Sequence, residues 1–484
     1  MKTPKIFLSS DSNEFNSREE CDCACADINT IPPDTFYEVG TALLCPELHV
    51  QPVVKGYDLV FNPKTNADIA LINPPAMAIL ESFRPSRYIQ PQDPGAIIQR
   101  MVRAGLLDPV DKNTDPNCTT VPQTLSAWIH VTDRCNLRCS YCYLPHVRED
   151  MTLETGQAAI DAIFRSAITH NYKQVKIKYA GGEPLLRFSL IKELHEYASR
   201  LATENGLSLD DVILSNGTLL TPEIIQFLQA QNIRLMISLD GLGRYHDNHR
   251  SYAGGRGTFS DVAEAVLLSL HYGLVPHISV TISARTADGL ADLMRWILEH
   301  DLPFSLNFYR ENELSASHID MRLDEEKIIS GMLAAFKIIE SNLPERNLLP
   351  SIIDRANLSS PHSLTCGVGE NYLVFDQNGQ IAKCQMHIRK PVTNIRAADP
   401  LAIIRADKIG LQNLPVEEKE GCRSCEWKNW CAGGCPITTH RATGRYDIKS
   451  PNCNIYKALY PEALRLEGLR LLKYQNDPEV VLKY

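Results

Sequence analysis

No run of apolar residues in this chain approaches the ~18 that a membrane-spanning helix needs. The opening stretch turns polar at Ser9-Ser10-Asp11, too soon for a signal-peptide core. Positive charge is not in excess: 49 Lys and Arg against 58 Asp and Glu leave a net charge of −9. Bulk electrostatics therefore give no nucleic-acid-binding surface. Internal repeats and low-complexity tracts are also missing, which sets aside solenoids and compositional tails. What remains reads as a cytoplasmic chain with neither membrane nor nucleic acid among its partners. Its 484 residues suit about three domains, and 44% apolar content is ample for folded cores.

Cysteine, by contrast, is abundant. Fifteen thiols in a reducing compartment point to metal or redox chemistry before disulfides. Ten fall into two patterned groups, Cys135 to Cys142 and Cys366 to Cys453, leaving Cys21, Cys23, Cys25, Cys45 and Cys118. The alternation at residues 21–25 would set three thiols on one face if extended, and it reads as a reactive tail rather than a metal site. In the first group, Cys135, Cys139 and Cys142 follow a strand-like run at 125–131. Three thiolates on one short loop can hold three irons of a 4Fe–4S cluster, whose usual complement is four cysteines. The fourth iron is then open for chemistry. From spacing alone, a zinc site with a distant fourth ligand is the alternative.

Between residues 125 and 309, β-like runs alternate with amphipathic stretches. The runs are 125–131, 175–180, 211–215, 233–239, 275–282 and 303–309; the stretches include 189–203, 222–231, 259–272 and 288–300. Repeated strand–helix units predict a parallel sheet, and six of them suit an open partial barrel. The three-cysteine loop follows the first strand, Gly181-Gly182-Glu183-Pro184 the second, Asn216-Gly217 the third, and Asp240-Gly241 the fourth. In a parallel barrel all strand C-termini open on one face, so these loops are expected to meet at a single site.

The cysteine spacing, with Tyr141 between the last two thiols, resembles the signature of radical S-adenosylmethionine (radical SAM) enzymes. That resemblance implies S-adenosylmethionine on the open iron of a 4Fe–4S cluster and a 5′-deoxyadenosyl radical that abstracts hydrogen. It implies that Gly181, Gly182 and Glu183 hold the amino group of the cofactor, with Ser238 and Asp240 close by. His246, Asp247 and Arg250 also match, and Arg250 is expected to pair the cofactor carboxylate. The second group runs from Cys366 through Gly379 and Cys384 to Cys422, Cys425, Cys431, Cys435 and Cys453, a spacing that resembles the SPASM domain. By resemblance, Cys422, Cys425, Cys431 and Cys453 complete one auxiliary iron–sulfur cluster. Cys366, Cys384 and Cys435 supply three ligands to another, open to substrate or closed by a residue such as His362. The sulfatase-maturing branch carries an aspartate base after the second SPASM cysteine. Here Gln385 stands there, an amide that cannot take up a proton at useful pH.

Residues 48–54, 57–61 and 67–72 read as strands, with Asn73 capping a helix at 76–83 and a second helix at 96–107. This order resembles a winged-helix-like leader-peptide recognition domain, which would bind an extended peptide by β-augmentation. The expected layout is α/β: a partial (β/α)6 TIM-like barrel between that small module and a cysteine-rich iron–sulfur domain. Residues 1–45 read as a flexible N-terminal segment and 46–115 as the recognition module. Residues 120–335 form the barrel, 336–365 a bridge, 366–456 the SPASM domain and 457–484 a C-terminal helical tail. The implied activity is oxidative cross-linking (thioether or C–C) of a precursor peptide or protein. Sulfatase-type maturation, epimerisation and splicing are the alternatives within the family, and a redox-sensing iron–sulfur or zinc scaffold the alternative outside it. The expected electron donor is a flavodoxin or ferredoxin, and no side chain is assigned as catalytic base.

Overall fold

The computed structural model describes residues 3–9, 38–63, 68–110, 122–358 and 361–474. The expectations for Cys21, Cys23, Cys25 and Cys118 lie outside the described residues.

The N-terminal part contains strands β1 (Ile6–Leu8), β2 (Ala42–Leu44), β3 (His49–Val54), β4 (Tyr57–Phe61), β5 (Ala70–Ile72), β6 (Arg87–Tyr88) and β7 (Asp108–Pro109). They form an antiparallel sheet in the order β1-β5-β4-β3 and a smaller one, β6-β2-β7. Helices Pro74–Glu81 and Gly95–Arg103 share a core with the larger sheet through Ala76, Leu80, Ile98 and Met101. Asn73 caps the first helix as expected, its Oδ1 accepting from Ala76 N at 3.2 Å. The same side chain also holds the start of the chain. Lys5 N donates to its Oδ1 at 2.9 Å, and its Nδ2 donates to Thr3 O at 2.9 Å.

These contacts correct the expectation of a flexible segment over residues 1–45, at least for its first described residues. Ile6 and Leu8 alternate into the core while β1 completes the ladder on β5, so three residues suffice for a strand. The exposed edge anticipated for a peptide is consequently taken at β5. The opposite edge strand, β3, lies against the C-terminal helix Cys453–Tyr474: Gln51 Nε2 donates to Pro461 O at 2.7 Å, and Val53 packs on Gly468.

The large sheet is mixed. Strands β8 (Thr124–His130), β9 (Gln174–Ala180), β10 (Ser208–Ser215), β11 (Arg234–Ser238), β12 (His277–Ile282) and β13 (Phe304–Phe308) are parallel neighbours in chain order. On the far side of β8 the sheet continues with β14 (Tyr372–Phe375), parallel to it, then β15 (Gln380–Ala382) and β16 (Thr393–Asn394), both antiparallel. Helices between the parallel strands follow their patterns closely. Helix Phe188–Asn205 ends at Gly206 with φ +65°, and helix Pro222–Ala230 starts from a Thr221 cap with proline in its first turn. Helix Leu153–Thr169 and strand β14 were not anticipated. Two expected boundaries fall inside helices: 335/336 within Glu325–Ser341, and 456/457 within Cys453–Tyr474.

One face of the parallel strands carries Leu125, Ala127, Ile129, Val175, Ile177, Ile278 and Val280 into the helix-packed core. The other face is polar, because alternate residues of a strand point to opposite sides. The register sets Ser126 beside Lys176, Trp128 beside Lys178, Ser238 beside Ser279 and Thr281 beside Asn307. At the amino ends of the strands, Arg234 grips Asp210 with two bonds of 3.0 and 2.8 Å, and Lys176 stands 3.7 Å from the same carboxylate.

Replacing Asn73 removes a helix cap and two tethers to the first strand together. Asn73→Ala should lower the stability of the N-terminal part by about 1–3 kcal/mol, read as earlier protease cleavage or amide exchange in residues 3–9 and 70–80 with the large sheet unaffected.

Candidate functional site

All six parallel strands end on the same edge of the sheet, and their following loops interlock there. The loop after β8 carries Cys135, Cys139 and Cys142, each partly exposed. The Gly-Gly run after β9 packs under it: Gly182 N donates to Thr132 O at 2.7 Å and Glu183 N to Arg134 O at 2.9 Å. A Cβ on Gly182 would sit 2.3 Å from Arg134 O, so only glycine permits this approach. After β10, Asn216 Nδ2 donates to Asn136 Oδ1 at 2.9 Å, and Asn136 in turn donates to Thr218 Oγ1 at 2.8 Å. Beyond β13, Asn312 Nδ2 donates to Tyr141 O at 3.0 Å. The convergence expected from the strand ends is present.

Asp240, after β11, is the knot. Its Oδ2 accepts from Tyr141 OH at 2.6 Å and from Arg250 Nε at 2.9 Å, with His249 Nδ1 3.4 Å away; its Oδ1 accepts from Thr281 N at 2.8 Å. Burial alone would raise this carboxyl, but Arg250, with His249, holds it well below the usual carboxylate range. The Arg250 guanidinium lies 5.3 Å over the Tyr141 ring, so this arginine reaches the cysteine loop and is no surface ion pair. His246 accepts from Asp240 N through Nδ1 at 3.2 Å, which requires a neutral ring; its Nε2 is 3.1 Å from Thr258 Oγ1. Burial brings this imidazole down to about 4.

Other expected residues take supporting places. Glu183 is fully buried, and its carboxylate accepts from Leu185 N, Ser215 Oγ and Asn216 N at 3.0, 2.8 and 2.8 Å. It fixes the loops on both sides. Asp247 caps helix Phe259–His271, accepting from Thr258 N and Phe259 N at 2.7 and 2.9 Å. Ser238 lies on the polar face of the sheet beside Ser279.

The second cysteine group divides in two. Cys422, Cys425, Cys431 and Cys453 line one pocket, walled by Trp427, Tyr456 and Tyr460. Cys366, Cys384 and Cys435 share a separate buried cluster with Val368, Tyr372 and Val374. His362 lines a different pocket, with Asp354, Arg355 and Thr365, whose walls include none of these three thiols. Gln385 follows Cys384, and its Oε1 accepts from Tyr372 OH at 3.2 Å.

Among the described residues no three His, Cys, Asp or Glu gather as one metal ion requires. Thiols that hold a cubic cluster stand at its corners, farther apart than the ligands of a single ion, and an all-sulfur donor set suits iron–sulfur ligation. Burial pushes Cys135 up to about 11 and Cys139, Cys384 and Cys431 to about 12, 12 and 11, so loading must displace protons. Cys435 is different: burial raises it, but Arg310 and Arg355 outweigh that and bring it below the ordinary thiol value. Arg310 Nε donates to Cys435 Sγ at 3.4 Å while its guanidinium grips Asp354 at 2.6 and 2.9 Å. Sequence reasoning missed Arg310, Lys178 and Trp128. The polar residues at every second position of the strands were the signal for the latter two.

Residues 129–297 match the Radical SAM superfamily. The chain is 26% identical over 349 residues to a serine-type anaerobic sulfatase-maturating enzyme of Bacteroides thetaiotaomicron, across 62% of this chain and 80% of that one. A cysteine-type anaerobic sulfatase-maturating enzyme of Clostridium perfringens is 21% identical over 366 residues, 71% of this chain and 96% of that one. The solved structure of native anSMEcpe with bound AdoMet and Kp18Cys peptide superposes with a TM-score of 0.59 at 19% identity. That match covers 71% of this chain and 99% of the other, and it concerns the fold.

A neutral, buried His246 makes stability pH-dependent. Its folded value, about 4, lies below the ordinary 6.5, so between those limits the unfolded chain binds a proton that the folded chain refuses. Stability should fall as pH drops through that window by up to about 1.4 kcal/mol per pH unit. Urea unfolding at pH 6.5 and 5 should give a flatter dependence for His246→Asn, whose amide oxygen can still accept from Asp240 N.

Proposed function

We propose that this chain, whose residues 129–297 match the Radical SAM superfamily, is a radical SAM enzyme that modifies a ribosomally made peptide or a protein by oxidative cross-linking, as a thioether or C–C bond. The observation that carries this reading is the meeting of four loops around three thiols at the carboxyl edge of the sheet, with seven further thiols in two more groups. When bound, a 4Fe–4S cluster on Cys135, Cys139 and Cys142 with S-adenosylmethionine supplies a 5′-deoxyadenosyl radical able to take hydrogen from an unactivated carbon. Gly181 and Gly182 open their backbone to the cofactor. Arg250 offers its guanidinium to the cofactor carboxylate, held in place by Asp240. Such chemistry needs water kept out, and the buried Asp240 and His246 close the wall beside the loop, with Tyr141 of the loop bonded to Asp240.

Cross-linking removes two hydrogens from the substrate. One leaves as an atom to the radical, and the remaining electron and proton need an acceptor and a base. Clusters held at Cys366, Cys384, Cys435 and at Cys422, Cys425, Cys431, Cys453 would offer the former, and a flavodoxin or ferredoxin would be the donor that reduces the first cluster. The carboxyl edge of the sheet, where the cysteine loop lies, is the substrate side in this reading, part of a partial barrel. The N-terminal strands and helices act as a winged-helix-like docking module. With β1 on one edge of its sheet, an incoming strand must use β3 or displace β1. The site of action is the cytoplasm.

Sulfatase-type maturation is the second reading, supported by the named relatives. Gln385 weighs against it, since an amide cannot serve as the base at that position.

The reduced, anaerobically reconstituted protein should cleave S-adenosylmethionine to 5′-deoxyadenosine, and Cys135→Ala should abolish this; a protein that forms none is a scaffold. Co-expression with a short open reading frame encoded beside its gene should yield a peptide lighter by two hydrogens, whereas conversion of serine or cysteine to an aldehyde would favour the second reading. Removal of residues 1–115 should abolish affinity for that peptide while cofactor cleavage persists, and full affinity in the truncated protein would refute the docking role.

A further inference from the structure

Lys419 is a buried cation at the seam between the two auxiliary thiol groups. Its side chain is almost wholly enclosed. Its carbonyl accepts from Cys422 N at 3.1 Å, which ties its backbone to the four-thiol pocket. Its Nζ donates to Ala432 O at 2.6 Å and stands 3.5 Å from Thr365 Oγ1. Ala432 follows Cys431 of the four-thiol pocket, and Thr365 precedes Cys366 of the three-thiol cluster. The Thr365 hydroxyl joins the same point, 2.8 Å from Ala432 O and 2.9 Å from Gly434 O.

Gly433 makes room for this ammonium. At φ +81°, a Cβ there would come within 2.5 Å of Lys419 Cδ and 3.1 Å of Nζ. The thiols that act most strongly on the ammonium are Cys366, Cys422, Cys431 and Cys435, two from each group. A buried charge demands compensation, and here the opposite charges belong to two separate sites.

We propose that Lys419 is a positioning residue shared by both auxiliary sites, a fixed counter-cation that stabilises an added electron on either one. The proposal rests on the reading of Cys366–Cys453 as two iron–sulfur sites. Net charge and hydrogen bonding around the sulfurs set the potential of such clusters. One ammonium between two sites shifts both in the same direction, so their order is preserved while both become easier to reduce.

The test is an EPR-monitored redox titration of the full-length chain carrying Cys135→Ala, Cys139→Ala and Cys142→Ala, reconstituted with iron and sulfide. In this background only the auxiliary sites report. Lys419→Met should keep its iron yet lower both midpoints by at least about 59 mV, a tenfold loss in the reduction equilibrium. Lys419→Arg should leave both near those of the parent. Full iron with one or both midpoints unmoved in Lys419→Met overturns the proposal alone. A parent chain that takes up no iron at these sites overturns the two-cluster reading along with it. If Lys419→Met loses its iron, Lys419→Gln decides, since it keeps a donor for Ala432 O without the charge. Retained iron with both midpoints lowered, or iron lost from Gln but not from Arg, supports the role; unmoved midpoints in Gln, or iron lost from Arg as well, overturns it.

Discussion

Asp240 is the constraint around which the first site is built. A carboxylate with no access to water survives only if its lone pairs are met by donors and its charge by a cation. Tyr141, Arg250 and Thr281 N meet these needs from three different segments. The requirement works in both directions: each segment is held where the carboxylate is, and the cysteine loop inherits its position through Tyr141. Glu183, two strands over, is likewise met by donors, from Leu185 N, Ser215 Oγ and Asn216 N. Two buried carboxylates thereby align the loops after β8, β9, β10 and β11.

The sheet that carries these loops has unequal faces. One is apolar and covered by helices; the other holds lysines, serines, an arginine and asparagine. Lys178 rests 5.4 Å from the Tyr372 ring, across the junction where β14 joins β8. A polar inner face is unstable in an ordinary closed core, where unmet donors are costly. Its lysines are nonetheless enclosed, Lys176 and Lys178 being 4% and 1% exposed, so their ammonium groups must be met from within the protein.

Much of this was legible in the sequence because the signals were local. Cys135-x3-Cys139-x2-Cys142, the glycine pair at 181–182 and the strand–helix alternation from 125 to 309 need only neighbouring residues to be recognised. Most strand positions agree with expectation to within a few residues, and Asn73 caps its helix. The failures concern contacts between distant segments. Nothing in Lys5-Ile6-Phe7-Leu8 announces that it completes a sheet with residues 70–72. Nor does 372–375 reveal that it will lie parallel to 126–129. Glu183 and Asp247 carry family motifs, yet their carboxylates are engaged with backbone amides, a use that spacing cannot distinguish from ligand binding. Arg310 and Lys419 were invisible for the same reason: each matters through partners more than a hundred residues away or through a thiol group on either side.

The parallel pairing of β14 with β8 has a mechanical corollary. Two domains joined by a linker can rotate, and their separation becomes a variable that ligands adjust. Here one continuous backbone ladder runs from β13 through β8 to β16, and hinging across it would break main-chain hydrogen bonds. The offset between the loop of Cys135, Cys139 and Cys142 after β8 and the segments flanking β14 and β15, which carry Cys366 and Cys384, is therefore set by the ladder, like a gauge block.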